Sequence, residues 1–380
     1  MYDVVIVGAG PAGSAAAAIL ARHGCQVLLL DKAEFPRDKV CGDGIGWGTI
    51  KLLAELGLSL DAATRELYEC DKVRGISPSG HVFEGPFPQK DGHSRHGYVI
   101  PRKRFDHILW QFALEQGARF ERFHVTEPLM EDGLVRGVRG HTDGKAAERR
   151  ARITIAADGA KSVIARALRS DETPARHYAV AIRGYFEGVQ GLDRCVEFYF
   201  NQTVLPGYGW VFPLGEGRAN IGVGLRLDVI RRKKGSLKRA FETFIRDPRL
   251  TDRLAKARPV AEPRGWLLPL ASQRLQRAYA GALLIGDAGA FVSPLSGGGI
   301  YNALETGRIA AHVVLEALQR DGGSLSELRR FELRWRSVLG RKLRSETLAQ
   351  KLLSWPGMLD RVIRSMDRNE WFARQVLERL

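Results

Sequence analysis

The first thirty-one residues of the chain constrain its fold more strongly than any other stretch. Residues 2–7 are apolar and predict a short strand, which runs directly into Gly8-Ala9-Gly10-Pro11-Ala12-Gly13. A helix rich in alanine is expected over about 11–23, and an apolar strand over 26–30 then ends beside Asp31. Strand, glycine-rich turn, helix, strand and acid, in this order, predict a βαβ unit on a parallel sheet.

The glycine-rich turn and the acid have the spacing of a dinucleotide site. Gly8 allows a tight turn, Gly10 lets a pyrophosphate approach the backbone, and Gly13 lets the helix pack closely on the strand. The start of the helix presents amide hydrogens to phosphate, and Asp31 can accept hydrogen bonds from ribose hydroxyls. Dinucleotide binding is therefore predicted, and the alternative is a strand-to-helix turn that binds no ligand.

The chain carries a formal net charge of +15 over 380 residues. Such a field favours anionic partners, which are nucleic acid, acidic lipid or phosphorylated substrates. Basic runs lie at 231–234 and 341–344, but no recognition motif accompanies them, so nucleic acid is not expected. An anionic membrane surface is the predicted partner, and a basic surface that is merely solvated stays open as the alternative.

The four cysteines, Cys25, Cys41, Cys70 and Cys195, form no C-x-x-C pair and no zinc spacing, so no metal site is expected. The first strand begins at residue 2, which leaves no room for a signal peptide, and a reducing cytoplasm is the expected compartment. No apolar run reaches the ~18 to 20 residues of a membrane span. Any contact with a membrane is then expected to be peripheral, on its cytoplasmic face.

Later junctions between strand and helix also combine glycine with an acid. Ala157-Asp158-Gly159-Ala160 follows one predicted strand and Gly286-Asp287 follows another, while the loop 297–299 precedes a long helix predicted over 300–320. Together with the first turn, these junctions predict one extended ligand lying across a sheet, and FAD has the required length. Asp287 would then hold the ribityl or pyrophosphate region. The amides of 297–299 would face flavin N1 and O2, where reduction places negative charge.

Two shorter motifs lie outside these junctions. Cys41-Gly42-Asp43-Gly44 precedes a predicted helix, and its glycines can bring backbone amides against a ligand. Cys41 is either a small buried hydrophobe or a group that faces a redox centre. Tyr208-Gly209-Trp210-Val211-Phe212-Pro213 lies within 177–226, whose strands are expected to be antiparallel. Alternation puts the three aromatic side chains on one face, which is either sheet core or the wall of a pocket.

These two motifs, the second followed after eight residues by Gly222-Val223-Gly224, resemble the geranylgeranyl reductase family of FAD-dependent oxidoreductases. Over about residues 1–320 the chain is similar to that family's p-hydroxybenzoate hydroxylase fold. The resemblance implies an α/β protein: a Rossmann-type FAD-binding domain with an inserted antiparallel β-sheet substrate domain and a helical C-terminal region. The expected boundaries assign 1–72, 96–175 and 275–322 to the FAD-binding domain, 73–95 and 176–274 to the substrate domain, and 323–380 to the helical region.

The resemblance also implies an activity, the reduction of isolated C=C bonds in polyprenyl chains by hydride from N5 of reduced flavin. The substrate would be a geranylgeranyl lipid, a prenyl diphosphate or a prenylquinone. Catalytic roles are implied for Cys41, Tyr208 and Trp210, and substrate contacts for Tyr208, Trp210, Phe212 and Gly222. Arg102 is implied as an FAD contact, whereas the residue pattern alone leaves it either near phosphates or solvated. The chain departs from the family at Gly298, where members often carry glutamate.

The residues expected to bind FAD combine the glycine junctions with the positions implied by the resemblance. They are Gly8, Gly10, Ala12, Gly13, Asp31, Lys32, Cys41, Gly42, Arg102, Val125, Asp158, Gly159, Gly286, Asp287, Gly297, Gly298, Gly299 and Ile300. No second glycine fingerprint is present for a nicotinamide, so the electron donor is either NADPH or a ferredoxin-like protein. The competing functions are a flavin monooxygenase or halogenase acting on an aromatic compound, and a non-catalytic flavoprotein that binds prenyl lipid.

Overall fold

The βαβ unit at the start of the chain forms as its sequence predicts. The structure is a computed structural model that describes residues 1–60, 67–87, 96–169, 173–202, 204–320 and 323–377. Strand β1 (Tyr2–Val7), helix α1 (Pro11–Arg22) and strand β2 (Val27–Asp31) follow in order, and β1 pairs with β2 in parallel. The inner residues of both strands are buried on both faces, which explains their continuous apolar sequence.

A mixed sheet is built around this unit. Its strand order is β18-β19-β11-β1-β2-β8, and all neighbours from β19 to β8 are parallel. The added strands are β8 (Arg119–Arg122), β11 (Lys145–Ala156), β18 (Ala278–Tyr279) and β19 (Ala282–Leu284), and antiparallel β9 (His124–Glu131) and β10 (Leu134–Thr142) extend it from β11. The carboxyl ends of β1, β11 and β19 therefore lie along one edge.

The sequence predicts a single strand over 118–125, but the structure divides this stretch between two strands, β8 and β9. They are separated at Phe123, whose side chain is buried and whose amide donates to the carbonyl of Asp31 at 2.8 Å. The chain leaves the parallel sheet at this point and enters the antiparallel extension. One predicted strand therefore pairs with β2 through its first half and with β10 through its second.

The second sheet is antiparallel, with one exception. Its order is β16-β12-β15-β14-β13-β5-β6, with β17 also on β12. The strands are β5 (Lys72–Ile76), β6 (Val82–Pro86), β12 (Tyr178–Glu187), β13 (Cys195–Tyr199), β14 (Tyr208–Gly215), β15 (Arg218–Arg226), β16 (Arg258–Pro259) and β17 (Arg264–Pro269). The early β5–β6 hairpin joins the sheet through a parallel pairing of β5 with β13. A small third sheet contains β3 (Gly44–Ile45), β4 (Tyr68–Cys70) and β7 (Gly97–Val99).

The helices of the described residues cover the sheets and fill the C-terminal region. After α1 they are α2 (Trp47–Glu55), α3 (Arg102–Glu115), α4 (Val163–Leu168), α5 (Leu227–Arg232), α6 (Leu237–Ile245), α7 (Pro248–Leu254), α8 (Ile300–Leu318), α9 (Leu325–Leu328), α10 (Arg330–Val338), α11 (Gly340–Leu353), α12 (Pro356–Arg368) and α13 (Glu370–Leu377). The expected α/β class with a helical C-terminal region is confirmed. None of the described helices is long and apolar enough to cross a bilayer.

The small residues of helix α8 suit close packing on a sheet, but Gly307 packs against another helix, α1. A Cβ added at Gly307 would lie 2.5 Å from the carbonyl oxygen of Ala12 in α1. The two backbones approach this closely because both helices start at the same edge of the sheet and small side chains separate them. The expected domain boundaries stay a prediction, and those at 95, 322 and 380 fall outside the described residues.

Candidate functional site

The glycine turn after β1 is shaped by backbone contacts that only glycine tolerates. Gly8 has φ +100°, and a Cβ added there would lie 2.4 Å from the carbonyl oxygen of Ala157. A Cβ at Gly13 would lie 1.9 Å from the carbonyl oxygen of Gly8. At Gly10, by contrast, the nearest atom to an added Cβ is an Arg37 nitrogen at 3.7 Å, so this side of the turn is open.

Ten of the residues predicted to bind FAD line one cavity of about 590 Å³ at the carboxyl ends of β1, β11 and β19. This size is typical of a cofactor site. We call it the dinucleotide groove. The ten residues are Gly8, Gly10, Ala12, Asp31, Lys32, Val125, Asp158, Gly159, Gly286 and Asp287. Gly13 lies behind the turn and allows it to form.

Asp31 is oriented by the backbone that surrounds it. One carboxylate oxygen accepts from the amide of Ala9 and the other from the amide of Ala33, both at 3.0 Å. The side chain is nearly buried and lies on the groove. The glycine turn therefore sets the direction of the carboxylate, as the binding of a ribose requires.

Asp158 keeps an unsatisfied oxygen in the groove. Its Oδ2 accepts from the amide of Val163 at 2.9 Å, whereas its buried Oδ1 has no partner among the described residues. Burial raises the pKa of this carboxyl group. A buried, unpaired oxygen costs free energy unless a ligand donates to it. Hydroxyl groups on the ligand would meet this need, so the residues present fit FAD.

Two cations that were not predicted to bind FAD also lie on the groove. Arg37 bonds to Asp106 at 2.7 Å and lies 3.8 Å from Asp31, and Lys39 is 3.2 Å from Asp287. The Arg37 guanidinium faces the side of the turn opened by Gly10, where the charge of a pyrophosphate would need compensation. Both cations lie in the polar stretch 32–39, which carries no motif, so only the folded chain identifies them.

A second cavity adjoins the dinucleotide groove and has a mostly apolar wall. Six residues line both: Pro11, Lys39, Val40, Trp266, Asp287 and Ala303. We call the second cavity the aromatic chamber, because Tyr208, Trp210 and Phe212 line it together with Cys41. Of the predicted cofactor residues, Cys41, Gly42, Arg102, Asp287, Gly297, Gly299 and Ile300 lie on this chamber. The shared wall means that one extended ligand can occupy the groove and reach the chamber.

The three aromatic side chains of β14 do share one face, as their alternation predicted. The ring of Trp210 lies 6.0 Å from that of Tyr208 and 6.3 Å from that of Phe212, and Phe198 packs against Tyr208 and Phe212. The Tyr208 hydroxyl donates to the carbonyl of Ser296 in the glycine loop. The strand is therefore both sheet core and cavity wall, which are the two alternatives that the pattern left open.

Gly222 does not line the aromatic chamber, although it was predicted as a substrate contact. A Cβ added there would lie 2.2 Å from the Trp210 indole and 2.6 Å from the carbonyl oxygen of Ile182. The residue lies behind the indole and gives it space, whereas the neighbouring Gly224 lines the chamber. The family motif identified the correct strand but could not distinguish a residue that lines the chamber from one that supports its wall.

Arg102 is neither solvated nor placed on the dinucleotide groove. It is buried, lines the aromatic chamber, and binds Asp106 one helical turn away through bonds of 2.6 and 2.8 Å. Although burial opposes it, Arg102 holds the pKa of the Asp106 carboxyl below its usual range. The buried pair leaves one guanidinium edge facing Cys41, whose thiol pKa is raised by burial despite that charge.

A hydrogen-bond network behind Cys41 was not predicted. Asn220 donates to the carbonyl of Cys41 at 2.8 Å and to Asp43 at 2.7 Å, and it accepts from the Trp210 indole at 2.9 Å. Tyr185 donates to the same Asp43 oxygen at 2.6 Å. Burial raises the pKa of Asp43 to about 6, although both donors act against the shift. The side chain of Asn220 therefore joins the cysteine loop to the aromatic strand.

The last glycine loop only partly meets its expectation. The amide of Gly297 donates to the carbonyl of Ser293 at 3.0 Å, and that of Gly298 lies 3.3 Å from the Ser296 hydroxyl. Both amides are thus engaged within the loop rather than free for a flavin. Gly298 is also absent from the lining of the aromatic chamber, where Gly297 and Gly299 lie.

The fold and the dinucleotide groove together define an FAD-binding protein. The FAD binding domain family matches residues 1–324. Among solved structures, a geranylgeranyl bacteriochlorophyll reductase-like protein from Thermoplasma acidophilum superposes with a TM-score of 0.87 at 27% identity, covering 97% of this chain and 92% of the other. A flavin-dependent brominase superposes with a TM-score of 0.74 at 20% identity, covering 96% and 92%, and shows the shared fold alone.

Curated relatives narrow the class to a family. The digeranylgeranylglycerophospholipid reductase 2 of Methanopyrus kandleri is 36% identical over 93% of this chain and 87% of its own length. The menaquinone reductase of Mycolicibacterium smegmatis is 36% identical over 82% of this chain and 76% of its own length. The chain belongs to the geranylgeranyl reductase family of FAD-dependent oxidoreductases, as the sequence motifs indicated.

Proposed function

We propose that this protein saturates isolated C=C bonds of polyprenyl chains with FAD as its cofactor. The observation that carries the proposal is the shared wall between the dinucleotide groove and the aromatic chamber, with Cys41 and three aromatic rings on the chamber side. An apolar chamber that adjoins a redox cofactor suits a hydrocarbon chain, because an alkene offers no polar group to bind. The curated relatives are named as reductases of a geranylgeranyl lipid and of menaquinone, which supports this class of substrate.

The side chains of the chamber have distinct parts in this proposal. Reduced FAD, when bound, supplies hydride, and an alkene then needs a proton as well. The pKa of Cys41 is raised by burial, so its thiol stays protonated at neutral pH and can give a proton to a carbon beside it. Tyr208, Trp210 and Phe212 exclude water and orient the chain, and Tyr208 also ties the wall to the glycine loop. Cys41, Tyr208 and Trp210 are thus the proposed catalytic residues.

The substrate class is the polyprenyl chain rather than one head group. The two relatives act, by name, on a phospholipid and on a quinone, whose common part is a chain of isoprene units. The residues that line the chamber include more apolar than charged side chains, and they contact a chain independently of its head group. NADPH and a ferredoxin-like protein both stay as proposed electron donors.

Anaerobic turnover tests the proposal. FAD-loaded, dithionite-reduced protein is incubated with geranylgeranyl diphosphate, a geranylgeranylated phospholipid or menaquinone, and products are read by mass spectrometry. The proposal expects products heavier by two hydrogens per bond, and a Cys41→Ala variant that keeps its FAD but loses most turnover. Full activity in that variant would remove Cys41 from the mechanism. Oxygen consumption with an aromatic substrate and no saturation would instead favour a monooxygenase or halogenase, and lipid binding without any product a non-catalytic flavoprotein.

A further inference from the structure

Helix α11 packs beside the aromatic chamber. On its inner side Leu343 and Glu346 are buried. Gln350 lies on the same side, lines the aromatic chamber and donates to the carbonyl of Pro294 in the glycine loop. The helix is therefore part of the wall of the proposed substrate site.

The opposite side of α11 is apolar and basic. At 3.6 residues per turn, Arg341, Arg344, Leu348, Lys351 and Leu352 project in one stripe, opposite the inner residues. All five are exposed, and Leu348 and Leu352 expose 61% and 57% of their surface. Exposed large hydrophobic side chains in a row, on a chain with a well-packed core, indicate a surface that binds a membrane or another protein.

A tryptophan extends this stripe. Trp355 follows the helix in the turn before α12 and is 69% exposed. Indole rings favour the boundary between lipid and water, because they offer an apolar body and one polar N–H. The six residues Arg341, Arg344, Leu348, Lys351, Leu352 and Trp355 form what we call the outer α11 face.

The charges of the outer α11 face all have one sign. The acidic residue of α11, Glu346, is buried on the inner side, where Lys342 lies 3.8 Å from it. Within the described parts of the chain, Arg341, Arg344 and Lys351 form no ion pair, so their charges are not neutralised by the protein itself. Apolar side chains flanked by uncompensated cations are typical of helices that lie on acidic bilayers.

We propose that the outer α11 face binds the surface of an anionic lipid bilayer. This inference rests on the proposed function, because a polyprenyl lipid is drawn from a membrane and α11 is both the docking surface and a wall of its site. Leu348, Leu352 and Trp355 would enter the boundary between head groups and acyl chains, while the three cations contact lipid phosphates.

Vesicle cosedimentation of the FAD-loaded protein tests this surface. We expect binding to vesicles of phosphatidylcholine mixed with phosphatidylglycerol, weaker binding to phosphatidylcholine alone, and loss of binding as salt is raised. A Leu348→Ser/Leu352→Ser variant should bind about ten-fold or more weakly. An Arg341→Gln/Arg344→Gln/Lys351→Gln variant should lose on the order of a hundred-fold, since each cation contributes about five-fold. Equal binding by wild type and both variants would overturn the proposal.

Matched controls come from elsewhere on the surface. Arg231→Gln/Lys233→Gln neutralises two exposed cations of the other basic run, and Val260→Ser removes an exposed apolar side chain. Both should bind as wild type. As a second measurement, vesicles should shift tryptophan emission of the wild type to the blue, and Trp355→Phe should abolish most of that shift. An unchanged shift in Trp355→Phe would contradict the assigned face.

The test separates this inference from the proposed function. Variants of the outer α11 face should retain turnover of a prenyl chain presented in detergent micelles, because their substitutions lie outside the chamber. If the variants lose vesicle binding while the wild type saturates no prenyl chain, the result supports the outer α11 face as the membrane surface and refutes the proposed function. A stable dimer that Leu348→Ser/Leu352→Ser converts to monomer would show a protein interface and overturn the membrane proposal.

Discussion

The side-chain amide of Asn220 donates a 2.7 Å hydrogen bond to the carboxyl group of Asp43, although the two residues lie 177 positions apart in the chain. The same amide donates to the carbonyl of Cys41, and its oxygen accepts from Trp210. A strand of the second sheet thereby positions the cysteine loop, which leads into β3 of the third sheet. The position of Cys41, the proposed proton donor, relative to the aromatic side chains of β14 depends on this contact.

Replacing Asp43 with asparagine should change how stability depends on pH. Because burial raises the pKa of Asp43 to about 6, from 3.8, its folded state binds the proton more tightly than its unfolded state. The corresponding stability is fully present below about pH 4 and is lost as pH rises through about 6. A neutral asparagine avoids this loss, which is on the order of 3 kcal/mol.

Denaturant unfolding of wild type and Asp43→Asn between about pH 4 and 7 measures the effect. The free energy of unfolding of the variant should rise relative to wild type over this range and level off above it. Tyr185→Phe is the comparison, because it removes one donor to Asp43 and keeps the carboxyl group. A difference between Asp43→Asn and wild type that does not vary with pH would contradict the raised pKa.

Alanine at Gly13 should abolish FAD binding. Its Cβ would lie 1.9 Å from the carbonyl oxygen of Gly8, which is backbone and cannot move without opening the turn. We expect FAD absorbance below a tenth of the wild-type value per protein, roughly, and a loss of several kcal/mol of stability. Gly46→Ala is the matched control, because nothing lies within 4 Å of the added Cβ. Full FAD occupancy in Gly13→Ala would refute the close packing.

Replacing Gly222 with alanine should narrow the aromatic chamber, although Gly222 itself does not line it. The added Cβ would lie 2.2 Å from the Trp210 indole, so the ring must move toward the chamber. We expect a KM for a long prenyl chain raised about ten-fold, while FAD occupancy is unchanged. Gly75→Ala, on β5 of the same sheet, lies on neither cavity, places its Cβ at an ordinary 3.9 Å from Ile363 and should change KM little. Equal KM values in the two variants would mean that Trp210 does not shape the chain site.

Removing the guanidinium of Arg102 should be costly for the whole protein. In Arg102→Met the buried Asp106 carboxylate keeps Arg37 as its ion-pair partner among the described residues, and breaking a buried pair costs about 3 kcal/mol or more. Arg258→Met breaks a surface pair with Glu187 and should cost about 1 kcal/mol or less. Chemical denaturation compares the two. Similar losses in both variants would show that burial of the Arg102 pair has no energetic consequence.

The local parts of the fold were predictable because local patterns encode them. The βαβ unit follows from apolar runs, small helical residues and a backbone contact that excludes any Cβ at Gly13. The aromatic strand followed from alternation, and Asp31, Asp158 and Asp287 followed from their positions after strands. These features depend on residues that are close together in the chain, so they can be predicted from a single sequence.

Residues that act through distant partners were not predictable in this way. Arg37 and Lys39 lie in a polar connection, and only folding brings Arg37 beside Asp106 and Lys39 beside Asp287 on the groove. Asn220 and Tyr185 are ordinary residues of alternating strands until the cysteine loop folds over them. The support role of Gly222, and the division of 118–125 into two strands, depend equally on contacts made after folding.

By itself, the sequence determined that strand, glycine turn, helix and acid form a dinucleotide site, and that Tyr208, Trp210 and Phe212 share a face. The reason is that backbone sterics and side-chain periodicity act over a few residues. Only the tertiary structure decided that this face lines a chamber adjoining the groove at Asp287, that Asp43 is buried behind Cys41, and that α11 contributes Gln350 to the chamber. Those outcomes depend on which surfaces of distant segments exclude water together, and no local pattern specifies that choice.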